Sequence, residues 1–150
     1  MTLQEKFKAI YEKYSKERQL ELDEATFSSI ITTFPSLLVA TADTKVDNNE
    51  KLLIVSISKS LANSFKGDDS DEAVIELLSY QYYAEFDYLT KNIEKWESIF
   101  IDVLAEYLKE NPENKKIISE MIIDIANASD GICEAEQNVI KELELKLNLK

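Results

Sequence analysis

The chain of 150 residues contains no histidine, one cysteine, two glycines and two prolines. Without histidine it lacks the usual general base and the commonest metal ligand of enzymes. Cys133 alone cannot form a disulfide within the chain, and no histidine is present to activate its thiol. Two glycines do not make a glycine-rich phosphate loop, and with two prolines they are too few for a turn-rich sandwich or barrel. These absences favour a non-enzymatic helical protein.

Basic residues are also scarce, since 17 Lys and Arg stand against 29 Asp and Glu for a formal net charge of −12. Such a surface repels the phosphates of nucleic acids and anionic lipid headgroups. No apolar run approaches the length of a membrane span, and the N-terminal region is amphipathic rather than a signal peptide. We therefore expect a cytoplasmic protein without nucleic-acid or membrane partners. Cations or basic protein surfaces would complement the acidity, and improved solubility is the alternative explanation for it.

Apolar residues spaced three and four apart predict an all-α fold of about seven helices in one compact domain, residues 1–150. The first helix covers about Leu3–Glu17, the fourth Ala73–Leu89 and the last Glu134–Leu147. Two boundaries stay open. Pro35 either kinks the second helix or opens a short segment over 36–42. The helices on either side of residues 90–93 are either separate or continuous.

Three further details of the helices can be tested. Asp23 is predicted to cap the second helix, and Asn111 to cap a helix that begins at Pro112. The fourth helix is predicted to bury one apolar side. That side consists of Val74, Leu77, Leu78, Tyr82, Phe86 and Leu89.

Two segments of the chain match each other without a gap at an offset of 86 residues. Residues of about 36–62 correspond to 122–148, so that Val39 meets Ile125 and Leu61 meets Leu147. Each segment reads as helix, acidic turn, helix. Paired alanines permit close approach of the helix ends, and an apolar residue before the cap acts as a hydrophobic staple. The duplication predicts two helix–turn–helix units related by a pseudo-twofold axis.

The two turns, "ATADTKVDNNEKLL" and "ANASDGICEAEQNVI", resemble the repeated Ala-x-Asp-Gly-x-Ile-x-x-x-Glu signature of the TerB-like family. This family is named for tellurite-resistance proteins, and a related domain begins a DnaJ-like membrane co-chaperone. The first copy departs from the signature, with Thr44-Lys45 in place of Asp-Gly, and the second lacks one turn residue. The resemblance implies an all-α fold with two related halves and a role in stress or metal-oxyanion response.

Carboxylates in the two turns are the candidate metal ligands. They are Asp43, Asp47 and Glu50 in the first turn and Asp130, Glu134 and Glu136 in the second. An EF-hand is excluded, because aligning Asp130-Gly131 with its fifth and sixth positions places alanines at the first and third and Gln137 at the twelfth. If the halves converge, the turns could share a divalent cation through oxygen ligands. We favour the alternative that these carboxylates cap helices and complement their dipoles.

Aromatic residues are concentrated in the middle helices, at Tyr80, Tyr82, Tyr83, Phe86, Tyr88 and Trp96. They cover most of a helix circumference, so they cannot all face the core. An exposed part of this set would suit a protein partner or a homodimer.

The sequence thus predicts a non-enzymatic binding or scaffold protein of TerB-like type, which acts through an acidic surface on a protein partner or a divalent cation and has no required cofactor. The alternative is a metal-dependent enzyme that uses the acidic cluster.

Overall fold

The computed structural model describes residues 2–42, 48–64, 72–128 and 134–149, with the helix backbone alone for 48–50, 64 and 128. Within these ranges the chain forms seven α-helices, one 3-10 turn and no strand, which confirms the predicted all-α class. None of these helices is both long and apolar enough to cross a membrane. In chain order the helices are α1 (Leu3–Arg18), α2 (Glu24–Ala40), α3 (Asn48–Ser64), α4 (Glu72–Lys91), α5 (Ile93–Glu110), α6 (Lys115–Ala128) and α7 (Glu134–Lys146).

Helix α2 lies at the centre of the molecule. Its Phe27 ring contacts aromatic rings of α1, and the helix packs against each of α3, α4, α5, α6 and α7. Twelve of its 17 residues are buried, and its sequence is the most apolar of the seven helices. Burial on nearly every side explains why α2 shows little alternation of polar and apolar residues.

Pro35 lies inside α2, which runs through it without a break. The proline has no amide hydrogen, so the carbonyl of Ile31 receives no hydrogen bond from the residue four positions on. Packing by five neighbouring helices compensates for this loss. At its start, Asp23 Oδ1 accepts a hydrogen bond from the amide of Thr26 at 2.7 Å, which confirms the predicted cap.

The boundary near residues 90–93 is a single residue, Asn92, which separates α4 from α5. Its side chain donates to the carbonyl of Tyr88 at 2.8 Å and does not cap α5. Asn111 lies at the predicted cap position and Pro112 begins the turn that follows, but the Asn111 side chain makes no capping hydrogen bond. The side-chain amide of Asn111 donates instead to the Tyr107 carbonyl at 3.1 Å. Pro112 begins a 3-10 turn that precedes α6.

The prediction for α4 is wrong at two positions in its first two turns. Val74 and Leu77 are exposed, whereas Tyr82, Phe86 and Leu89 are buried as expected. Leu77 lies five residues before Tyr82, which at about 100° per residue places the two side chains on different sides of the helix. The prediction therefore assigned too many of the apolar residues of α4 to its buried face.

The predicted duplication agrees with the helix boundaries. Helix α3 begins at Asn48 and α7 at Glu134, and 134 − 48 = 86, the offset of the sequence match. Ile57 and its counterpart Leu143 are both buried. The turns that would define the relation, 43–47 and 129–133, lie outside the described residues, so the pseudo-twofold remains a prediction.

Candidate functional site

The six predicted metal ligands fall largely outside the described part of the chain. Asp43, Asp47 and Asp130 lie outside it, and of Glu50 only the backbone position within α3 is described. The two remaining carboxylates are on the first turn of α7, where Glu134 is exposed and Glu136 is buried. Among the described residues, no group of three or more carboxylates or cysteines could hold a metal ion. The shared cation site therefore stays a prediction about the two turns.

A buried polar cluster that the sequence analysis did not find joins α1 to α4. The carboxylate of Glu85, which is only 1% exposed, accepts a hydrogen bond from the Tyr14 hydroxyl at 2.6 Å. It also accepts two from the guanidinium of Arg18, at 2.7 Å from Nε and 3.1 Å from Nη2. The guanidinium lies over the Tyr88 ring at 4.4 Å, and the hydroxyl of Tyr88 accepts from the indole of Trp96 at 3.0 Å. Every charge in this cluster is therefore paired.

The pKa shifts in this cluster favour a structural role for it. Burial and the hydrogen bond to Glu85 raise the pKa of Tyr14 far above its usual value. The hydrogen bond to Glu85 also raises the pKa of Arg18. A tyrosine that resists ionisation and a guanidinium held as a permanent cation do not exchange protons near neutral pH. The cluster instead fixes the C-terminal half of α1 on the rest of the molecule.

Two exposed ion pairs attach α1 to α5. Lys6 pairs with Glu106 at 2.9 Å near the start of α1, and Glu17 pairs with Lys95 at 2.8 Å near its end. Together with the buried pair on Glu85, three of the four ion pairs between described residues join α1 to another helix. Charge thus holds α1 across α4 and α5 along its whole length.

The position of α1 creates a groove of about 610 Å³ between α1, α2 and α5. Its apolar walls come from Leu3 and Phe7 on α1, and from Val103 and Tyr107 on α5. Along α2 the groove is bordered by a run of small residues at helical spacing. The full lining consists of Leu3, Gln4, Phe7, Lys8, Glu24, Ala25, Ser28, Ile31, Thr32, Val103, Leu104, Tyr107 and Asn111.

The groove is lined by polar as well as apolar residues. Lys8 and Glu24 are exposed at its rim, and no ion pair joins Lys8 to another described residue. The hydroxyl of Tyr107 accepts from Asn114 at 2.8 Å, and that of Thr32 donates to the Ser28 carbonyl. The arrangement is suited to binding apolar side chains.

Parts of this site had a signal in the sequence. Arg18 is the single arginine of the chain, and a planar fork is the group that pairs best with a buried carboxylate. Glu85 falls between Tyr82 and Phe86 on the side of α4 that carries the core residues. The groove had no such signal, because it depends on the angle at which α1 crosses α2 and α5.

The six aromatic residues of the middle helices are divided between the core and the surface, as their spacing predicts. Tyr82, Phe86 and Trp96 are buried, Tyr83 and Tyr88 are partly buried, and Tyr80 is 63% exposed.

Comparison of the chain with protein-family models, with curated proteins and with solved structures finds no match.

Proposed function

We propose that the protein is a non-enzymatic binding or scaffold protein of TerB-like type, which acts in the cytoplasm on a protein partner. The groove between α1, α2 and α5 is the observation that carries this proposal. It is preformed, its lining is mostly apolar, and its volume of about 610 Å³ lies within the usual range of binding sites. The occupant we propose is a short helix of the partner, which would place apolar side chains between Phe7 and Tyr107.

The border along α2 supports a helix as the occupant. Ala25, Ser28 and Thr32 follow one another at spacings of three and four, and none has a side chain larger than threonine. Small residues permit the backbones of two helices to approach closely, at the shorter end of the 8–10 Å range of axial distances. Ile31 and Glu24 also line the groove from α2, and the three small residues leave room for a helix beside them.

The charge of the protein directs the choice of partner. A net charge of −12 accelerates encounter with basic surfaces and repels acidic ones. The TerB-like resemblance adds a role in stress or tellurite response to this proposal. A homodimer through the groove is the less favourable arrangement, since two copies of equal charge repel each other.

Filling the groove provides the test. Ser28→Trp places an indole on the floor from an exposed position, so the fold should tolerate it, and Ser98→Trp adds the same group at an exposed position on α5 outside the groove. We expect immobilised wild-type protein and Ser98→Trp to retain the same partner from the native cell extract, and Ser28→Trp to lose it. Retention should fall as salt is raised from 50 to 500 mM.

The cellular role can be tested with the same pair of variants. In a strain that lacks the protein, Ser98→Trp should restore tolerance to tellurite and Ser28→Trp should not. Equal retention by both tryptophan variants would remove the groove from the proposal. A small molecule released from purified wild-type protein alone would make the groove a ligand site rather than a docking site.

A further inference from the structure

The outward side of α4 carries apolar residues where a surface helix normally carries polar ones. Leu77 is 68% exposed and Tyr80 is 63% exposed, and Ala73 and Ala84 are exposed as well. Positions 73, 77, 80 and 84 follow the spacing of a single helical stripe and lie within about 60° of one another. We call these four residues the outer stripe. The opposite side of α4 buries Tyr82, Phe86 and Leu89 in the core.

A second apolar side on a surface helix is typical of a contact with another molecule. An ordinary surface helix buries one apolar stripe and exposes a charged face. On α4 the core covers one side, and no other described helix covers the outer stripe, whose two largest side chains remain about two-thirds exposed. Contiguous exposed apolar residues with a polar border are typical of protein interaction sites.

The border of the outer stripe determines which partner fits. Glu72 and Glu76 are exposed beside its first two turns, and the hydroxyl of Tyr80 donates to Glu76 at 3.0 Å. Lys91 is the one basic residue of α4, and it is already paired with Asp87 at 3.1 Å. The border on the side of Glu72 and Glu76 is therefore acidic, and the complementary surface is basic.

A second copy of the chain fits this surface poorly. A twofold axis perpendicular to α4 would bring the same border of both helices together, with Glu72 and Glu76 of one copy near acidic residues of the other. Like charges across an interface cost binding energy, and each copy carries −12 overall. A different protein with basic residues avoids both penalties.

We infer that the outer stripe of α4 docks a basic amphipathic helix of a partner protein. Apolar residues of that helix would pack on Leu77 and Tyr80, while its lysines or arginines would pair with Glu72 and Glu76. This surface is separate from the groove of the proposed function, since no residue of α4 lines that groove. Two separate docking surfaces would allow the protein to hold two segments at once.

The experiment uses two synthetic 18-residue helical peptides, one of leucine and lysine and one of leucine and glutamate in the same pattern. Binding to the full chain is followed by fluorescence anisotropy of a dye on each peptide. We expect the lysine peptide to bind and the glutamate peptide not to bind. Leu77→Ser should weaken binding about tenfold or more, as expected for a central apolar contact. Leu52→Ser is the matched control, because Leu52 on α3 is 66% exposed and lies outside the outer stripe.

A matched charge control separates specific pairing from general attraction to an acidic protein. Glu76→Lys and Glu94→Lys change the net charge equally, but Glu94 lies on α5. Glu76→Lys should weaken binding at least fivefold more than Glu94→Lys and reduce the salt dependence. Three results would each overturn the inference. The first is an equal effect of the two variants in either matched pair, and the second is no binding of the lysine peptide at 100 µM. The third is a dimer, seen in sedimentation velocity, that Leu77→Ser abolishes. Ser28→Trp should leave the peptide affinity unchanged, so failure here is distinguishable from failure of the groove.

Discussion

Replacing Glu85 by glutamine should destabilise the protein far more than the same replacement at Glu106. Both carboxylates pair with a basic residue of α1, but Glu85 is 1% exposed while the Glu106 side chain is 37% exposed. The two variants therefore make one chemical change in two environments. Any difference between them measures the effect of burial on a charge pair.

The magnitude follows from the contacts of each group. Glu85→Gln removes the charge that receives three hydrogen bonds, two of them from Arg18. Removal of one partner from a fully buried pair costs about 3–5 kcal/mol, and since the Arg18 side chain keeps 23% exposure we expect about 2–4 kcal/mol. Glu106→Gln breaks a surface pair and should cost about 0–1 kcal/mol.

Urea unfolding at pH 7, followed by circular dichroism and by the fluorescence of Trp96, gives both values. With a slope of roughly 2 kcal/mol per molar urea, the midpoint should fall by about 1–2 M for Glu85→Gln and by less than about 0.5 M for Glu106→Gln. The slopes should match that of the wild type, because neither change alters the surface exposed on unfolding. Equal shifts for the two variants would refute the reasoning that the pair on Glu85 is effectively buried.

Three other outcomes can be checked on the same protein. Because burial and the hydrogen bond to Glu85 raise the pKa of Tyr14, the folded protein keeps this hydroxyl protonated where the unfolded chain ionises it. The contribution of Tyr14 to stability should therefore fall by about 1 kcal/mol between pH 10 and 11, and Tyr14→Phe should remove this part of the pH dependence in urea titrations. Phe27→Ala removes a ring that contacts four others and should cost about 3–5 kcal/mol in the same assay, against less than about 0.5 kcal/mol for the 83%-exposed Leu145→Ala. If capping explains the acidic turns, addition of calcium, magnesium, manganese or zinc should leave the melting temperature unchanged. A rise in the melting temperature that disappears in the double variant Asp43→Asn, Asp130→Asn would support the shared cation site.

The helices were predictable because their apolar spacing and their breaks are local properties. Asp23 could be recognised as a cap from its place before an apolar run, and it does cap α2. Pro35 illustrates the limit of local evidence. Its intrinsic preference is to end a helix, but α2, which packs against five other helices, stays helical through it.

The candidate sites were less predictable because they depend on how distant helices meet. Glu85 pairs with Arg18 across 67 positions of sequence, and nothing near either residue specifies the other. The outer stripe of α4 was visible as apolar residues, but the sequence placed Leu77 in the core. A helix with two apolar sides gives a pattern too broad to show which side is buried.

The central position of α2 has a consequence for the synthesis of the chain. Helix α2 ends at Ala40, whereas α7, which packs against it, ends at Lys146, 146 − 40 = 106 residues later. At a translation rate of about 5–20 residues per second, the apolar surface of α2 remains partly uncovered for roughly 5–20 s, until the last helix that packs on it has been synthesised. A chain that stops after α5 would therefore be an aggregation-prone fragment rather than a smaller folded unit. The apolar surface of α2 is therefore completely covered only after the final helix has been synthesised.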